Sequence, residues 1–224
     1  MSARRQRSVW PAVHHDGRRV QVMGHKIAGI LFDIGGVLVA LDGVPSMAKL
    51  LGVEPQHEAL HAMWIGSPSV VAHETGKIDA AAFAAGVVAD FGLPVTADCF
   101  LQDFCNWPTG LLPGALRLLD DIPDTYHLAA LSNTNAVHWD KIRAMGLVDR
   151  FDRMFLSHEI GCMKPDTGAF LAALEGMGLS PPEVLFLDDG LRNIDAAANL
   201  GMRAHLTRGP EEARHVLAQY GVVP

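Results

Sequence analysis

The chain has no long apolar run, few cysteines and fewer positive than negative side chains. None of its apolar stretches approaches the roughly 18 consecutive residues that a membrane-spanning helix requires. The three cysteines, Cys99, Cys105 and Cys162, form no C-x-x-C pair, which favours reduced thiols in a cytoplasmic protein. A formal net charge of −7 argues against a nucleic acid as the main partner. We therefore expect a cytoplasmic protein with neither a membrane segment nor a nucleic-acid partner.

The first 25 residues combine clustered arginines with a lack of hydrophobic periodicity. The opening "RRQR" is similar to the start of a twin-arginine or transit signal, but no apolar stretch follows it. We expect residues 1–25 to be a disordered extension, with Met23 as an alternative start.

From residue 26 onward, short apolar stretches alternate with segments of helical spacing. The predicted strands are 27–32, 127–132, 153–157, 184–188 and 203–206. The predicted helices between them are 114–121, 135–145, 166–177 and 190–200, and three of these four are followed by glycine. This alternation predicts an α/β fold with a Rossmann-like parallel sheet and helices on both faces.

One region departs from this alternation. Between the first strand and Pro113 lie about 70 residues with helical spacing and no convincing strand. We expect a small inserted helical cap over residues 44–107 and an α/β core domain over 26–43 and 108–224. Within the insert, Met47, Met63 and Trp64 are predicted core residues, with Trp64 alternatively stacking on a sugar face. The stretch "HETGKID" (73–79) is predicted to be a turn between helices.

Polar side chains stand at or just beyond the ends of four predicted strands. Asp33 and Ser132 mark the first and second strands, Lys164 follows the third, and Asp188 and Asp189 end the fourth. Ligands of parallel sheets bind beyond the carboxyl ends of the strands, so these side chains should share one cleft. Three carboxylates there repel one another unless a cation lies between them, and oxygen ligands alone favour Mg²⁺.

A phosphate group suits the remaining side chains of this cleft. Lys164 supplies a positive charge, while the Ser132 hydroxyl and backbone N–H groups supply hydrogen bonds. Asp33 can act as the nucleophile and form an aspartyl-phosphate that water later hydrolyses. The glycines after Asp33 let the backbone approach the phosphate closely.

Four stretches, "DIGGV", "LSNTN", "LSHEIGCMKPD" and "FLDDGLRNIDAAANLG", resemble the haloacid dehalogenase-like superfamily in order and spacing. They are most similar to the branch with α-D-glucose-1-phosphate phosphatase and the phosphatase domain of soluble epoxide hydrolase. The resemblance runs from Ile27 to the C-terminus, with the helical insert in the place of that family's cap. It implies a Mg²⁺-dependent phosphatase for a small phosphorylated metabolite, and it is compatible with a monomer or a homodimer.

The resemblance also assigns metal-binding roles. Asp33 would be both the nucleophile and a magnesium ligand, and Gly35 would offer its backbone carbonyl to the metal. Asp189 would be the direct ligand of the acidic pair, while Asp188 would orient the metal site. Asn193 would reach the metal through a water molecule.

Phosphate-binding roles follow from the same resemblance. Ser132, Asn133 and Gly36 would hold the phosphate, and Lys164 would bridge the phosphate and the nucleophile. Asp33 and Lys164 are thus the predicted catalytic pair.

The chain departs from the family at Gly35, where most of its phosphatases carry an aspartate as general acid and base. Losing a general acid typically costs about 10²–10⁴-fold, and less when the leaving group needs little protonation. We therefore predict a preference for sugar 1-phosphates or acyl phosphates. His138 or a water molecule could replace the acid, although His138 is predicted to be a surface residue of its helix.

Two other functions fit parts of the pattern. In a haloacid dehalogenase, Asp33 would attack carbon without a metal, which leaves the pair Asp188–Asp189 unexplained. A catalytically degenerate binding protein would explain Gly35, but the intact Asp33, Ser132, Lys164 and Asp189 oppose it. A magnesium phosphatase is the interpretation that uses all of these residues.

Overall fold

The computed structural model describes residues 26–224. The predicted disordered extension over residues 1–25, with its arginines and Met23, lies outside the described residues. Within residues 26–224, no helix has the length and apolar character needed to span a bilayer.

Within residues 26–224, seven strands form two sheets. In chain order they are β1 (Gly29–Phe32), β2 (Val39–Leu41), β3 (Pro108–Leu111), β4 (His127–Ser132), β5 (Arg153–Leu156), β6 (Val184–Asp188) and β7 (Arg203–Leu206). Five of them form a parallel sheet in the order β5-β4-β1-β6-β7. The strand order reverses at β1, because β4 lies on one side of it and β6 on the other. The predicted Rossmann-like parallel sheet is confirmed.

In the described part of the chain, six α-helices flank this sheet. They are α6 (Ala115–Asp120), α7 (Ala136–Arg143), α8 (Ser157–Ile160), α9 (Thr167–Met177), α10 (Leu191–Asn199) and α11 (Gly209–Gln219). Leu118, Ile142 and Leu217 from α6, α7 and α11 pack in one apolar cluster, which covers one face of the sheet. Phe170 and Ala197 from α9 and α10 pack in the cluster on the other face. The sheet is therefore buried on both sides, as the uniformly apolar strands require.

Five helices lie between β2 and β3, and we call them the helical segment. They are α1 (Gly43–Leu51), α2 (His57–Gly66), α3 (Pro68–Glu74), α4 (Ala80–Phe91) and α5 (Ala97–Phe104). Phe83, Phe100 and Trp107 belong to a separate apolar cluster of this segment, against which Trp64 packs. Met63 is 48% exposed, so its predicted place in that core is wrong. The division of the chain into a core and a cap domain stays a prediction.

An antiparallel pair, β2 with β3, stands where the chain enters and leaves the helical segment. Val39 pairs with Leu111 and Ala40 with Gly110, and the register shifts before Leu41 pairs with Pro108. The expectation of no strand in this region is wrong at both ends. Short strands of three and four residues carry little periodicity, so their pairing is set by the neighbouring strand rather than by local pattern.

Candidate active site

A buried lysine joins two carboxylates at the carboxyl edge of the parallel sheet. The Lys164 Nζ atom lies 2.9 Å from Asp33 Oδ1 and 2.6 Å from Asp188 Oδ2. Asp33 directly follows β1, and Asp188 is the last residue of the adjacent strand β6. Because both strands run in the same direction, their ends deliver the two carboxylates to one place. Charge-assisted hydrogen bonds of this length fix the three side chains relative to one another.

The balance of charge in this cluster is negative. Burial raises the pKa of Asp33 to about 7; Lys164 opposes this rise, whereas Asp188 and Asp189 add to it. Burial alone would lower the pKa of Lys164, but attraction to Asp188 and Asp33 outweighs it and holds that pKa above its usual value. Lys164 is therefore charged, and one ammonium faces three carboxyl groups. Such a cluster favours a bound cation.

The three carboxylates can hold a metal ion. Asp33, Asp188 and Asp189 each offer one oxygen, and these oxygens lie within 4.8 Å of one another. An all-oxygen set of ligands suits Mg²⁺. Gly36, at φ +70°, lies against the Asp189 carboxylate, and a Cβ at this position would overlap that carboxylate. The residues present thus fit a magnesium ion, and the glycine keeps open the space that Asp189 occupies.

Asp188 is held by hydrogen bonds to both of its oxygens. Its Oδ2 accepts from Lys164, and its Oδ1 accepts from the Gly190 backbone N–H at 2.7 Å and from Asn193 Nδ2 at 2.9 Å. Both oxygens are thereby held in place, and the orienting role of Asp188 stays a prediction. Asn193 acts on Asp188 here, and its predicted contact with a metal through water stays a prediction.

Asn133 fastens the loop that carries Lys164. Its Nδ2 donates to the Lys164 carbonyl and its Oδ1 accepts from the Lys164 backbone N–H, both at 2.8 Å. The side-chain amide is thereby engaged with backbone, which leaves the backbone N–H of Asn133 as its group for a phosphate. Ser132, the buried last residue of β4, lies beside it. The phosphate-binding roles of Ser132, Asn133 and Gly36 stay predictions.

The space beside Gly35 is already filled. A Cβ at Gly35 would lie 2.6 Å from Leu41 Cδ1, so a side chain there would have to displace Leu41. Leu41 is 51% exposed and its side chain can turn toward solvent, so the missing acid is a feature of the sequence and not a demand of the packing.

His138 is not the surface residue that its helical position predicts. The residue is 9% exposed, its ring stacks on Phe104 at 4.0 Å between centroids, and its Nε2 lies 2.8 Å from the Phe104 carbonyl oxygen. A carbonyl only accepts, so Nε2 carries the proton and donates it there. Burial lowers the pKa of His138 to about 4. A ring that is neutral and already paired is a poor proton donor to a substrate.

Glu74, within the stretch predicted to be a turn, is a buried carboxyl group that sequence reasoning missed. It is the last residue of α3 and is 9% exposed. Burial raises its pKa, and the Trp64 side chain and the charge of Lys164 oppose that rise. No local signal in the sequence reveals these partners, because they lie in other helices and loops.

A model of the family described as haloacid dehalogenase-like hydrolase matches residues 27–201. The chain is 28% identical over 187 residues to the D-ribitol-5-phosphate phosphatase of Bacteroides thetaiotaomicron, covering 78% of this chain and 89% of that protein. It is 25% identical over 189 residues to the N-acetylmuramic acid 6-phosphate phosphatase of Pseudomonas putida, covering 82% and 83%. Every predicted site residue, from Asp33 to Asn193, lies within the range that the family matches.

Solved structures resemble the chain over most of its length. An HAD family enzyme from Bacteroides thetaiotaomicron, in complex with magnesium and inorganic phosphate, superposes with a TM-score of 0.67 at 26% identity. The match covers 85% of this chain and 98% of that one. L-2-haloacid dehalogenase from Xanthobacter autotrophicus superposes with a TM-score of 0.58 at 18% identity, over 88% of this chain and 85% of that one. At that identity the second likeness concerns the fold alone.

Proposed function

We propose, since this chain belongs to the haloacid dehalogenase-like hydrolase family, that it is a Mg²⁺-dependent phosphatase. It would hydrolyse the phosphate monoester of a small phosphorylated metabolite through an aspartyl-phosphate on Asp33. The observation that carries the proposal is the Lys164 ammonium held between Asp33 and Asp188, with Asp189 close enough to share a cation. The phosphatases similar to this chain act on phosphorylated small molecules by name, which supports the same substrate class.

In the proposed reaction, the chain's own residues position phosphate and nucleophile. Lys164 fixes Asp33 Oδ1 and offers its remaining N–H to a phosphate oxygen. The Ser132 hydroxyl and the backbone N–H groups beside it would bind the other phosphate oxygens. The second Asp33 oxygen would attack phosphorus. A magnesium ion held by Asp33, Asp188 and Asp189 would neutralise charge on the transferred phosphoryl group.

A phosphorylated sugar or sugar alcohol is the proposed substrate. The predicted preference for a sugar 1-phosphate follows from Gly35, and it applies if no other group protonates the leaving alcohol. Comparing kcat/KM for glucose 1-phosphate and glucose 6-phosphate tests this point, and a clear preference for the latter would contradict it.

A panel of phosphate esters, with Mg²⁺ or with EDTA, tests the proposed activity. We expect phosphate release that requires Mg²⁺ and that Asp33→Asn abolishes. Asp195→Asn, an exposed aspartate on α10, is the matched control and should retain activity. Halide release from 2-haloacids in EDTA would favour the dehalogenase instead. No product from any ester, in a folded protein that binds Mg²⁺, would favour the degenerate binding protein.

A further inference from the structure

Glu74 is a buried carboxyl group for which the proposed mechanism has no use. Among the described residues, the buried acidic side chains are those of Asp33, Glu74 and Asp188. Two of these three belong to the lysine and metal cluster. A carboxyl group buried without a task is costly, because desolvation penalises its charged form. Glu74 therefore calls for a functional explanation.

The end of α3 is held against the core by backbone contacts. Helix α3 packs on α8, and the backbone of Gly76 lies so close to the His158 carbonyl that a Cβ would overlap it. Helix α8 is itself tied to the loop after β4, since Ser157 Oγ accepts from the Thr134 N–H at 2.9 Å and donates to the Thr134 carbonyl at 2.8 Å. Glu74 is thus carried by an element that is fastened to the loop following the phosphate-binding strand end.

The electrostatic surroundings of Glu74 favour a carboxyl group that can both donate and accept a proton. Burial raises the pKa of Glu74 to about 7, and the Trp64 side chain and the charge of Lys164 lower it in part. No described cation lies within salt-bridge distance of this carboxyl group. A phosphate dianion arriving beside Lys164 would stabilise the protonated form further. A group that titrates near neutral pH is the kind that general acid–base catalysis needs.

We propose that Glu74 is the general acid and base of this enzyme and takes over the task that Gly35 cannot perform. The inference rests on the proposed phosphatase function. The helical segment would thereby supply a catalytic group that touches the leaving group, in addition to shaping the substrate space.

The proposed proton transfers return Glu74 to its starting protonation state. As the bond between Asp33 and phosphorus forms, the bond from phosphorus to the leaving-group oxygen breaks, and the Glu74 carboxyl donates its proton to that oxygen. The resulting Glu74 carboxylate then accepts a proton from the water that attacks the aspartyl-phosphate. Release of inorganic phosphate leaves Asp33 ionised and Glu74 protonated, as at the start.

Leaving-group dependence separates an acid from a merely structural residue. A series of para-substituted phenyl phosphates keeps the shape of the substrate nearly constant while the basicity of the leaving oxygen changes. The ratio kcat/KM reports the steps up to departure of the phenol, so later hydrolysis of the aspartyl-phosphate does not affect it. We expect wild-type kcat/KM to depend only weakly on this basicity, because the acid protonates the departing oxygen.

Glu74→Gln is the informative variant, because glutamine keeps the size and polarity of the side chain but cannot donate a carboxylic proton. We expect kcat/KM to fall by about 10²–10⁴-fold for phenyl phosphate and to change little for p-nitrophenyl phosphate. Asp79→Asn, which keeps the N-cap that accepts from the Ala82 N–H, is the matched control in the same segment. It should leave both substrates unaffected.

The outcomes distinguish this inference from the proposed function. If the wild type releases no phosphate from any ester in Mg²⁺, the proposed function itself fails. If the wild type is active but already shows a steep dependence on leaving-group basicity, Glu74 is not the acid, whatever the variant does. An equal loss on both esters would make Glu74 a structural partner of Trp64, and no loss would leave it without a catalytic task.

Discussion

Replacing Gly36 by alanine should disable the metal site while costing only modest stability. Gly36 has φ +70°, and a Cβ there would overlap the Asp189 carboxylate and lie 2.7 Å from its Cγ. Asp189 has a short side chain, and its backbone directly follows β6. We expect the Asp189 carboxylate to avoid the added methyl by turning away from Asp33 and Asp188, which would remove one of three metal ligands.

Two free-energy terms contribute to this effect. A left-handed backbone conformation costs a residue with a Cβ roughly 1–2 kcal/mol. For a chain of this size, 1 kcal/mol corresponds to about 2–4 °C in Tm, so the strain alone lowers Tm by about 2–8 °C. Magnesium at roughly 100 times its Kd stabilises the folded state by about 2.7 kcal/mol. That ion-dependent gain, about 5–11 °C, is what Gly36→Ala should lose.

Gly178→Ala provides the matched control. Gly178 directly follows α9 and has φ +67°, nearly the same backbone conformation, but nothing lies within 4 Å of its Cβ position. Thermal melts with EDTA and with increasing Mg²⁺ compare the two variants. We expect similar losses of Tm in EDTA, whereas Mg²⁺ should restore stability and phosphate release only in Gly178→Ala. A Gly36→Ala protein with the same Mg²⁺ response as Gly178→Ala would refute the placement of the ion beside Asp189.

Two further perturbations test the acid and the buried histidine. The double substitution Gly35→Asp and Leu41→Ala introduces an acid at position 35 and removes the Leu41 Cδ1 atom that would lie 2.6 Å from the new Cβ. It should raise kcat/KM for phenyl phosphate at least about tenfold in the Glu74→Gln background and little in the wild-type background. Equal gains in both backgrounds would count against Glu74. Burial lowers the folded-state pKa of His138 to about 4. The neutral ring therefore makes its full contribution to stability above the unfolded-state pKa of about 6.5. About 3 kcal/mol of the free energy of unfolding is lost as the pH falls toward 4. Urea melts should show a shallower loss in His138→Phe, and an unchanged slope would place the acid sensitivity elsewhere.

The parallel sheet could be predicted because each of its strands is bounded by sequence signals. The runs predicted for β4, β6 and β7 match the observed strands to the residue. Each is a short stretch between polar or turn residues. Strands β4 and β6, on either side of the central strand β1, are almost uniformly buried. The pair β2–β3 carries no such signal, since β3 begins at Pro108 and contains Gly110. The two strands form because they pair with each other where the chain enters and leaves the helical segment.

The residues of the candidate site also fall into those that could be predicted from the sequence and those that could not. Asp33, Lys164 and Asp188 could be placed together because strand direction and strand order bring their positions to one edge. The burial of His138 could not be predicted, because it depends on the Phe104 carbonyl, 34 positions earlier in the chain. Glu74 was equally hidden, since the side chains that shift its pKa, Trp64 on α2 and Lys164 after α8, lie in other segments of the chain. Properties created by contacts between distant segments are beyond local pattern.

The pairing of β2 with β3 also has a consequence for how such enzymes diversify. Because the two strands run side by side in opposite directions, the polypeptide departs and returns at adjoining points, and a tight hairpin turn would suffice to rejoin them. The intervening helices can be swapped like a cassette without severing any of the five central strands. Exchange of this cassette would replace substrate preference and, if Glu74 serves as inferred, the proton donor in one genetic event, while the phosphoryl-transfer machinery is inherited intact.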